Sequence, residues 1–242
     1  MSEVIIIPAR WKSSRFPGKP LVDIMGKSLI QRTWSQCIKA VDSSKVFIAI
    51  DDEKIRQHCL DNNMQYVMTH DCLTGTDRVS QAYKNLGRKY KTIINVQGDE
   101  PLVEPEDILK VINASYDTSP TTICCGFCSI KSEKEFKNPN IIKVIMDNEN
   151  YLLYASRAGI PTTKKLEFEW AYKQVCIYAF SQTALSVFDS GDNRSPLERV
   201  EDIEFLRFLQ YGYKIKMVMV SESSISVDVP EDVRKVENSL RR

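Results

Sequence analysis

Four cations, Arg10, Lys12, Arg15 and Lys19, lie in one loop with Ser13, Ser14 and Gly18, bounded by Pro8-Ala9 and Pro20-Leu21. Side chains of this kind, together with free backbone N–H groups, make a cradle for a polyphosphate. Arginine grips phosphate oxygens as a planar fork and lysine as a point charge. The plainer alternative is a solvated basic loop, and position argues against it: the loop directly follows a short apolar run, Val4–Ile7. A second segment is Asn95-Val96-Gln97-Gly98-Asp99-Glu100-Pro101, where Gly98 lets the chain turn after another apolar run and Asp99 emerges at its end. A carboxylate beside a phosphate cradle suits Mg²⁺, which takes one or two carboxylates plus phosphate oxygens and waters. Asp99 could equally cap the turn. In Ser226-Val227-Asp228-Val229-Pro230-Glu231-Asp232, Asp228 is either a second metal ligand or the cap of a helix opened by Pro230. Thr74-Gly75-Thr76-Asp77-Arg78 leads a loop into a helix; its hydroxyls and arginine could read a base edge, and Asp77 could cap. No G-x-x-x-x-G-K-[ST] and no G-x-G-x-x-G is present, which argues against P-loop kinases and dinucleotide-binding dehydrogenases.

The elements that must hold these segments alternate through the first half. Strands are expected at Val4–Ile7, Val46–Ile50, Tyr66–Met68 and Thr92–Val96. Helices are expected at Lys27–Val41, Glu53–Asn62, Asp77–Leu86 and Glu106–Ser115, each with its apolar residues on one face. That order predicts a parallel sheet covered on both sides, with ligands at the carboxyl ends of the strands. The second half is richer in strands: Thr121–Ile130, Ile141–Asp147 with Tyr151–Ser156 as its hairpin partner, Lys173–Phe180 and Tyr213–Val220. A long helix is expected from Ser195-Pro196 to about Tyr211, and a closing helix over Pro230–Leu240. No linker or repeat interrupts the chain. One α/β domain over 1–242 is expected, with a mixed, mostly parallel sheet and a smaller β-rich insertion.

Composition narrows the class. The formal net charge over 242 residues is +1, so bulk electrostatics supplies no case for nucleic acid or an anionic membrane. No apolar stretch reaches the roughly 18–20 residues that span a bilayer, and Met1-Ser2-Glu3 does not open a secretory signal. A soluble cytoplasmic protein is expected. The seven cysteines include Cys125-Gly126-Phe127-Cys128. A structural zinc site needs four ligands, and His58 and His70 have no metal-site spacing, so the cysteines are expected to pack as core.

Together these pieces resemble the CMP-Kdo synthetases (3-deoxy-manno-octulosonate cytidylyltransferases) over nearly the whole chain. The residues that carry the resemblance are Ile7-Pro8-Ala9-Arg10 with Ser14 to Leu21, Gly75 to Arg78, Asn95 to Pro101, Asn138-Pro139-Asn140 with Lys143-Val144, Ser156-Arg157 with Ile160-Pro161, Ser195 to Glu198, and Val227-Asp228 with Pro230-Glu231-Asp232. The resemblance implies a Rossmann-like nucleotidyltransferase fold. It implies that the anomeric hydroxyl of a 2-ulosonic acid attacks the α-phosphate of CTP, releasing pyrophosphate. Arg10, Lys19 and Asp99 would be catalytic, with Asp99 and Asp228 holding Mg²⁺. Pro8, Ala9, Ser14, Arg15, Gly75, Thr76, Arg78 and Gln97 would contact the nucleotide beside Arg10 and Lys19. Gln97, Arg157, Gln174, Tyr178, Glu204 and Phe205 would surround the sugar, with Arg157 facing its carboxylate. A homodimer is implied, through a sugar-binding and dimerisation region at about 150–212, where Tyr172, Ile177, Phe180, Phe205 and Phe208 could form either an apolar patch or core.

The departures from the family pattern cluster in the sugar pocket. Gln174 stands where the family has histidine, Cys176 where it has glycine, and Phe205 where it has glutamine. A pocket that has lost a polar partner discriminates against a hydroxyl that needed it. The expected acceptor is thus Kdo itself or a modified 3-deoxy-2-ulosonic acid, such as a deoxy or amino form. The competing readings are a nucleotidyltransferase for another nucleotide, such as a uridylyltransferase, and a non-catalytic binding homologue.

Overall fold

A computed structural model describes residues 3–12, 16–189 and 193–241. The strands are β1 (Glu3–Ala9), β2 (Asp23–Ile24), β3 (Lys27–Ser28), β4 (Val46–Ile50), β5 (Tyr66–Met68), β6 (Thr92–Val96), β7 (Thr122–Ser129), β8 (Lys143–Met146), β9 (Leu152–Ser156), β10 (Tyr172–Phe180) and β11 (Lys214–Met219). The helices are α1 (Leu29–Ala40), α2 (Glu53–Asp61), α3 (Gly75–Leu86), α4 (Pro105–Tyr116), α5 (Glu133–Lys137), α6 (Gln182–Leu185), α7 (Pro196–Glu201), α8 (Leu206–Gln210) and α9 (Pro230–Leu240).

Among the described residues, nine strands form one sheet with the spine β11-β7-β10-β6-β1-β4-β5. Strands β6, β1, β4 and β5 run parallel, as do β11 and β7. Only β10 opposes its spine neighbours, pairing antiparallel with β6 and β7. Its outer end also pairs with β8, from which β9 hangs antiparallel. The β-rich insertion is thus a branch of the central sheet. The alternation of apolar residues assigns the two layers: Val4 and Ile6 enter one core and Ile5 and Ile7 the other. Strand β1 is apolar on both faces because helices cover both. No helix among the described residues is long and apolar enough to cross a membrane.

The Cys125–Cys128 pair packs as core, as expected, while Cys72 and Cys176 are partly buried and line a cleft. Cys124, Cys125 and Cys128 are buried and free. Cys125 and Cys128 lie three residues apart on a strand, so they join opposite cores and cannot share a ligand. Burial raises both thiols, Cys128 to about 11.

Three expectations need correction. The first helix starts at Leu29, because Lys27–Ser28 pairs with Asp23–Ile24 around a turn at Met25-Gly26, both with positive φ. Ser28 then caps α1 through Gln31 N. Thr74, not Asp77, caps α3: its side chain accepts from Asp77 N while Asp77 accepts from Thr74 N. The single helix expected from 195 to 211 is two helices, α7 and α8, separated by Asp202 in the left-handed region with φ of 53°. Arg157 explains the break, since its guanidinium takes the carbonyls of Glu201 and Asp202 that a continuous helix would use. The residues left open between patch and core are decided for Ile177, Phe180, Phe205 and Phe208, all buried in the core, while Tyr172 is half-buried against it.

Candidate functional site

The carboxyl ends of β1 and β6 open onto a cleft of 1230 Å³. Its floor is set where the two strand ends meet. A Cβ on Gly98 would stand 2.6 Å from the Pro8 carbonyl oxygen, a backbone atom that cannot move aside. Thr33 in α1 donates to the Gly98 carbonyl at 3.1 Å and holds the turn down. We expect Gly98→Ala to push the two loops apart, costing about 1–3 kcal/mol and most of the turnover, as read by denaturant unfolding and pyrophosphate release.

Lys19 follows Gly18, whose φ of +70° suits glycine, and a short 3₁₀ turn at Lys19–Leu21 aims its side chain inward. Its ammonium donates to Asp99 Oδ2 at 2.7 Å and to the Val227 carbonyl at 3.0 Å. Val227 N in turn donates to the Asp99 carbonyl at 2.9 Å. These bonds draw residues from three distant parts of the chain to one corner, where Asp228 also lines the cleft. Glu100 is buried beside them and accepts from Ser224 Oγ. Burial, and then the charges of Asp99 and Asp228, push its carboxyl up to about 8.

Pro8, Ala9 and the exposed Arg10 form one lip. Ser14 and Arg15 lie outside the described residues. At the far end of the same wall, Gly75 and Gln97 face the cleft in close approach, since a Cβ on Gly75 would lie 3.1 Å from the Gln97 amide. The Cys176 carbonyl accepts from Gln97 N, which continues the β6–β10 ladder one residue past Val96. Arg78 lines the cleft but is nearly buried. Its guanidinium pairs with Asp51 at 2.7 Å and donates to Thr69. Thr76 is turned away: its hydroxyl accepts from buried Asn95 at 3.4 Å, so it offers the cleft no side chain. The hydroxyl expected at position 76 thus faces the core, and Thr74, two residues earlier, lines the cleft.

Arg157, Gln174, Tyr178, Glu204 and Phe205 also line the cleft. Gln174 Nε2 donates to the Tyr178 hydroxyl, and Gln174 Oε1 is buried without a hydrogen-bond partner. Phe205 packs against Tyr178 with ring centroids 6.4 Å apart. The two oxygens of Glu204 accept from Gly75 N at 3.0 Å and Thr76 N at 2.8 Å. Burial raises its carboxyl above the ordinary glutamate range, and these donors pull it back. Arg157 donates to the carbonyls of Pro139, Glu201 and Asp202 and meets the Asp202 carboxylate at 3.3 Å. Glu201 accepts from Ser156 Oγ, Tyr154 Oη and Arg157 N, tying β9 to the helix break. Sequence reasoning missed Glu201 and Asp202, which read only as charged residues in an amphipathic helix. It also missed Asp51, although an acid at a strand's carboxyl end was a usable signal.

Comparison with known proteins agrees with this geometry. The sequence pattern of a cytidylyltransferase family matches residues 4–215. The chain is 40% identical over 240 residues to the mitochondrial 3-deoxy-manno-octulosonate cytidylyltransferase of Arabidopsis thaliana, covering 98% of this chain and 82% of that protein. It is 40% identical over 250 residues to the Porphyromonas gingivalis enzyme of the same name, covering 99% and 97%. It is 38% identical over 248 residues to the 8-amino-3,8-dideoxy-manno-octulosonate cytidylyltransferase of Shewanella baltica, covering 99% of each. A solved CMP:2-keto-3-deoxy-manno-octonic acid synthetase complexed with CTP superimposes with a TM-score of 0.88 at 31% identity, covering 100% of this chain and 99% of that one. With a cytidylyltransferase pattern over residues 4–215, 40% identity across nearly the whole chain and a TM-score of 0.88 to a solved member, the chain belongs to the CMP-Kdo synthetase family of cytidylyltransferases.

Proposed function

We propose that this protein transfers CMP from CTP to the anomeric hydroxyl of a 3-deoxy-2-ulosonic acid of the Kdo class, releasing pyrophosphate. The observation that carries the reading is the corner where Lys19, Asp99 and Asp228 converge beside a pocket containing Arg157. Arg10 and Lys19 bind the triphosphate and stabilise the charge that develops as the α-phosphate is attacked. Lys19 is positioned for this by Asp99 and the Val227 carbonyl. Thr74, Gly75 and Gln97, with the paired Arg78, form the base and ribose end. Arg157 presents positive charge to the sugar's carboxylate, and Gln174, Tyr178 and Glu204 surround its hydroxyls.

The cofactor we propose is Mg²⁺, held by Asp99 and Asp228. The donors fit it: both are carboxylates lining the cleft at the corner that also holds Lys19. Among the described residues no three His, Cys, Asp or Glu side chains form a metal cage. That suits an ion that takes most of its ligands from phosphate and water. When bound, it neutralises phosphate charge and favours ionisation of the attacking hydroxyl.

The acceptor is Kdo or a modified 3-deoxy-2-ulosonic acid, and the departures of this pocket from the family pattern keep the modified sugar beside Kdo as a candidate. Gln174 and Phe205 stand where the family has histidine and glutamine, and Phe205 gives the pocket an apolar side. The relatives include both Kdo enzymes and 8-amino-3,8-dideoxy enzymes. The test is pyrophosphate release with Mg²⁺ and CTP against Kdo and 8-amino-3,8-dideoxy-manno-octulosonate, with UTP as the nucleotide control. We expect CTP to be required and Kdo to turn over; a higher kcat/KM with the amino sugar marks the pocket as altered. Equal turnover with UTP would overturn the nucleotide assignment, and higher kcat/KM with Kdo would remove the modified sugar as a candidate.

We read the segment at about 150–212 as the sugar-binding and dimerisation region of one domain, and the protein as a cytoplasmic homodimer that binds neither nucleic acid nor membrane. Exposed Leu166, Trp170 and Val200 supply apolar surface there, and the free thiols suit a reducing compartment. Sedimentation at micromolar protein, giving a dimer mass, tests the association.

A further inference from the structure

Arg207 is fully buried, does not line the cleft, and makes four hydrogen bonds. Two form a fork on Glu198, at 2.7 Å from Nε and 2.6 Å from Nη2. Nη1 donates to Asn193 at 2.8 Å and to Asp77 Oδ1 at 3.2 Å. The guanidinium lies 3.8 Å from the Phe188 ring centroid. The bond to Asp77 leads out of the core. The other oxygen of Asp77 accepts from Thr74 N at 3.0 Å and from Thr74 Oγ1 at 2.7 Å. Thr74 and Gly75 face the cleft. One turn before Arg207, Glu204 holds the next two N–H groups of the same loop. Four consecutive residues of the loop, Thr74 to Asp77, are therefore held from the segment that also carries Phe205 and lines the acceptor pocket.

We propose that Arg207 is a positioning residue for nucleotide binding: acting through Asp77, it sets the place of the Thr74–Gly75 loop against CTP and ties that loop to the acceptor-side segment 202–207. The proposal rests on the reading above that this loop borders the nucleotide. A bidentate fork and a third acidic partner suit arginine and not lysine, because only the planar guanidinium can serve Glu198 and Asp77 together. Lysine at 207 keeps the charge and loses that geometry. Asparagine at 77 keeps an oxygen for the Thr74 cap and loses the charge that Arg207 meets.

The test measures KM for CTP, kcat and heat stability, with Mg²⁺ and saturating acceptor, for wild type, Arg207→Lys, Asp77→Asn, the double variant and Gly75→Ala. Loss of stability alone lowers the amount of active enzyme and leaves the KM of the folded fraction unchanged. We expect KM for CTP to rise about tenfold in each of the two single variants, with kcat falling less than threefold. We expect the double variant to be no worse than the worse single one, as for residues that act in one chain. Asp77→Asn keeps the test open if Arg207→Lys fails to fold. Wild-type KM for CTP in Asp77→Asn and in whatever Arg207→Lys folds, alongside a raised KM in Gly75→Ala, would overturn the role of Arg207. Wild-type KM in all of them, Gly75→Ala included, would instead overturn the placement of the loop at the nucleotide.

Discussion

Replacing Asp99 by asparagine should lower kcat by about three orders of magnitude at saturating CTP and Mg²⁺, with the fold intact. The substitution keeps the size of the side chain and removes its charge. Two functions go with that charge: the grip on Lys19 at 2.7 Å and the proposed hold on Mg²⁺. Lys19 keeps the Val227 carbonyl but loses the group that fixes its direction. Both members of the ion pair are partly exposed, at 18% and 24%, so the pair contributes only about 0–1 kcal/mol to folding. A thermal melt close to wild type is therefore expected beside the loss of turnover. Pyrophosphate release by the purified variant checks it, and activity within tenfold of wild type would remove Asp99 from the catalytic set.

Arg207→Met should have the largest effect on stability, about 3–5 kcal/mol. Glu198, 2% exposed, and Asp77, 11% exposed, are then left without their cation in the protein interior. Breaking one side of a buried pair costs this much because the remaining charge stays desolvated, whatever the pair itself is worth. For a chain of this size the melting temperature should fall by roughly 6–20 °C. Urea unfolding measures the loss directly. A second substitution, Glu198→Gln, should return part of it, because it neutralises the stranded charge. A single variant that unfolds at the wild-type urea midpoint would show that the cluster is worth nothing to the fold.

The two predictions fall on residues of different legibility. Asp99 was readable because it follows a five-residue apolar strand and a glycine, a pattern that delivers a side chain to the sheet's carboxyl edge. Lys19 was readable for the same reason, and β4, β5 and β6 have the bounds their composition implies. Arg207 reads from sequence as one polar position in an amphipathic helix. Its burial depends on Glu198 and on Asp77, 130 residues away. The helix break at Asp202 was likewise invisible. The apolar spacing of Leu197, Val200, Ile203 and Leu206 favours a continuous helix, and only Arg157, reaching in from another element, captures the carbonyls that would continue it. Val200 is left 84% exposed as a result.

Local chemistry therefore determined the strands, the turns that end them, the basic loop and the two aspartates, because each depends on neighbours in the chain: periodicity, β-branching, a glycine or a proline. Which faces of those side chains meet a ligand was decided only in three dimensions. Arg78 is paired with Asp51, Thr76 is turned into the core, and Glu204 holds α3 by its first N–H groups. The physical reason is the same in each case. A buried polar group must find a partner, and that partner comes from a distant part of the chain that spacing along the sequence does not reveal.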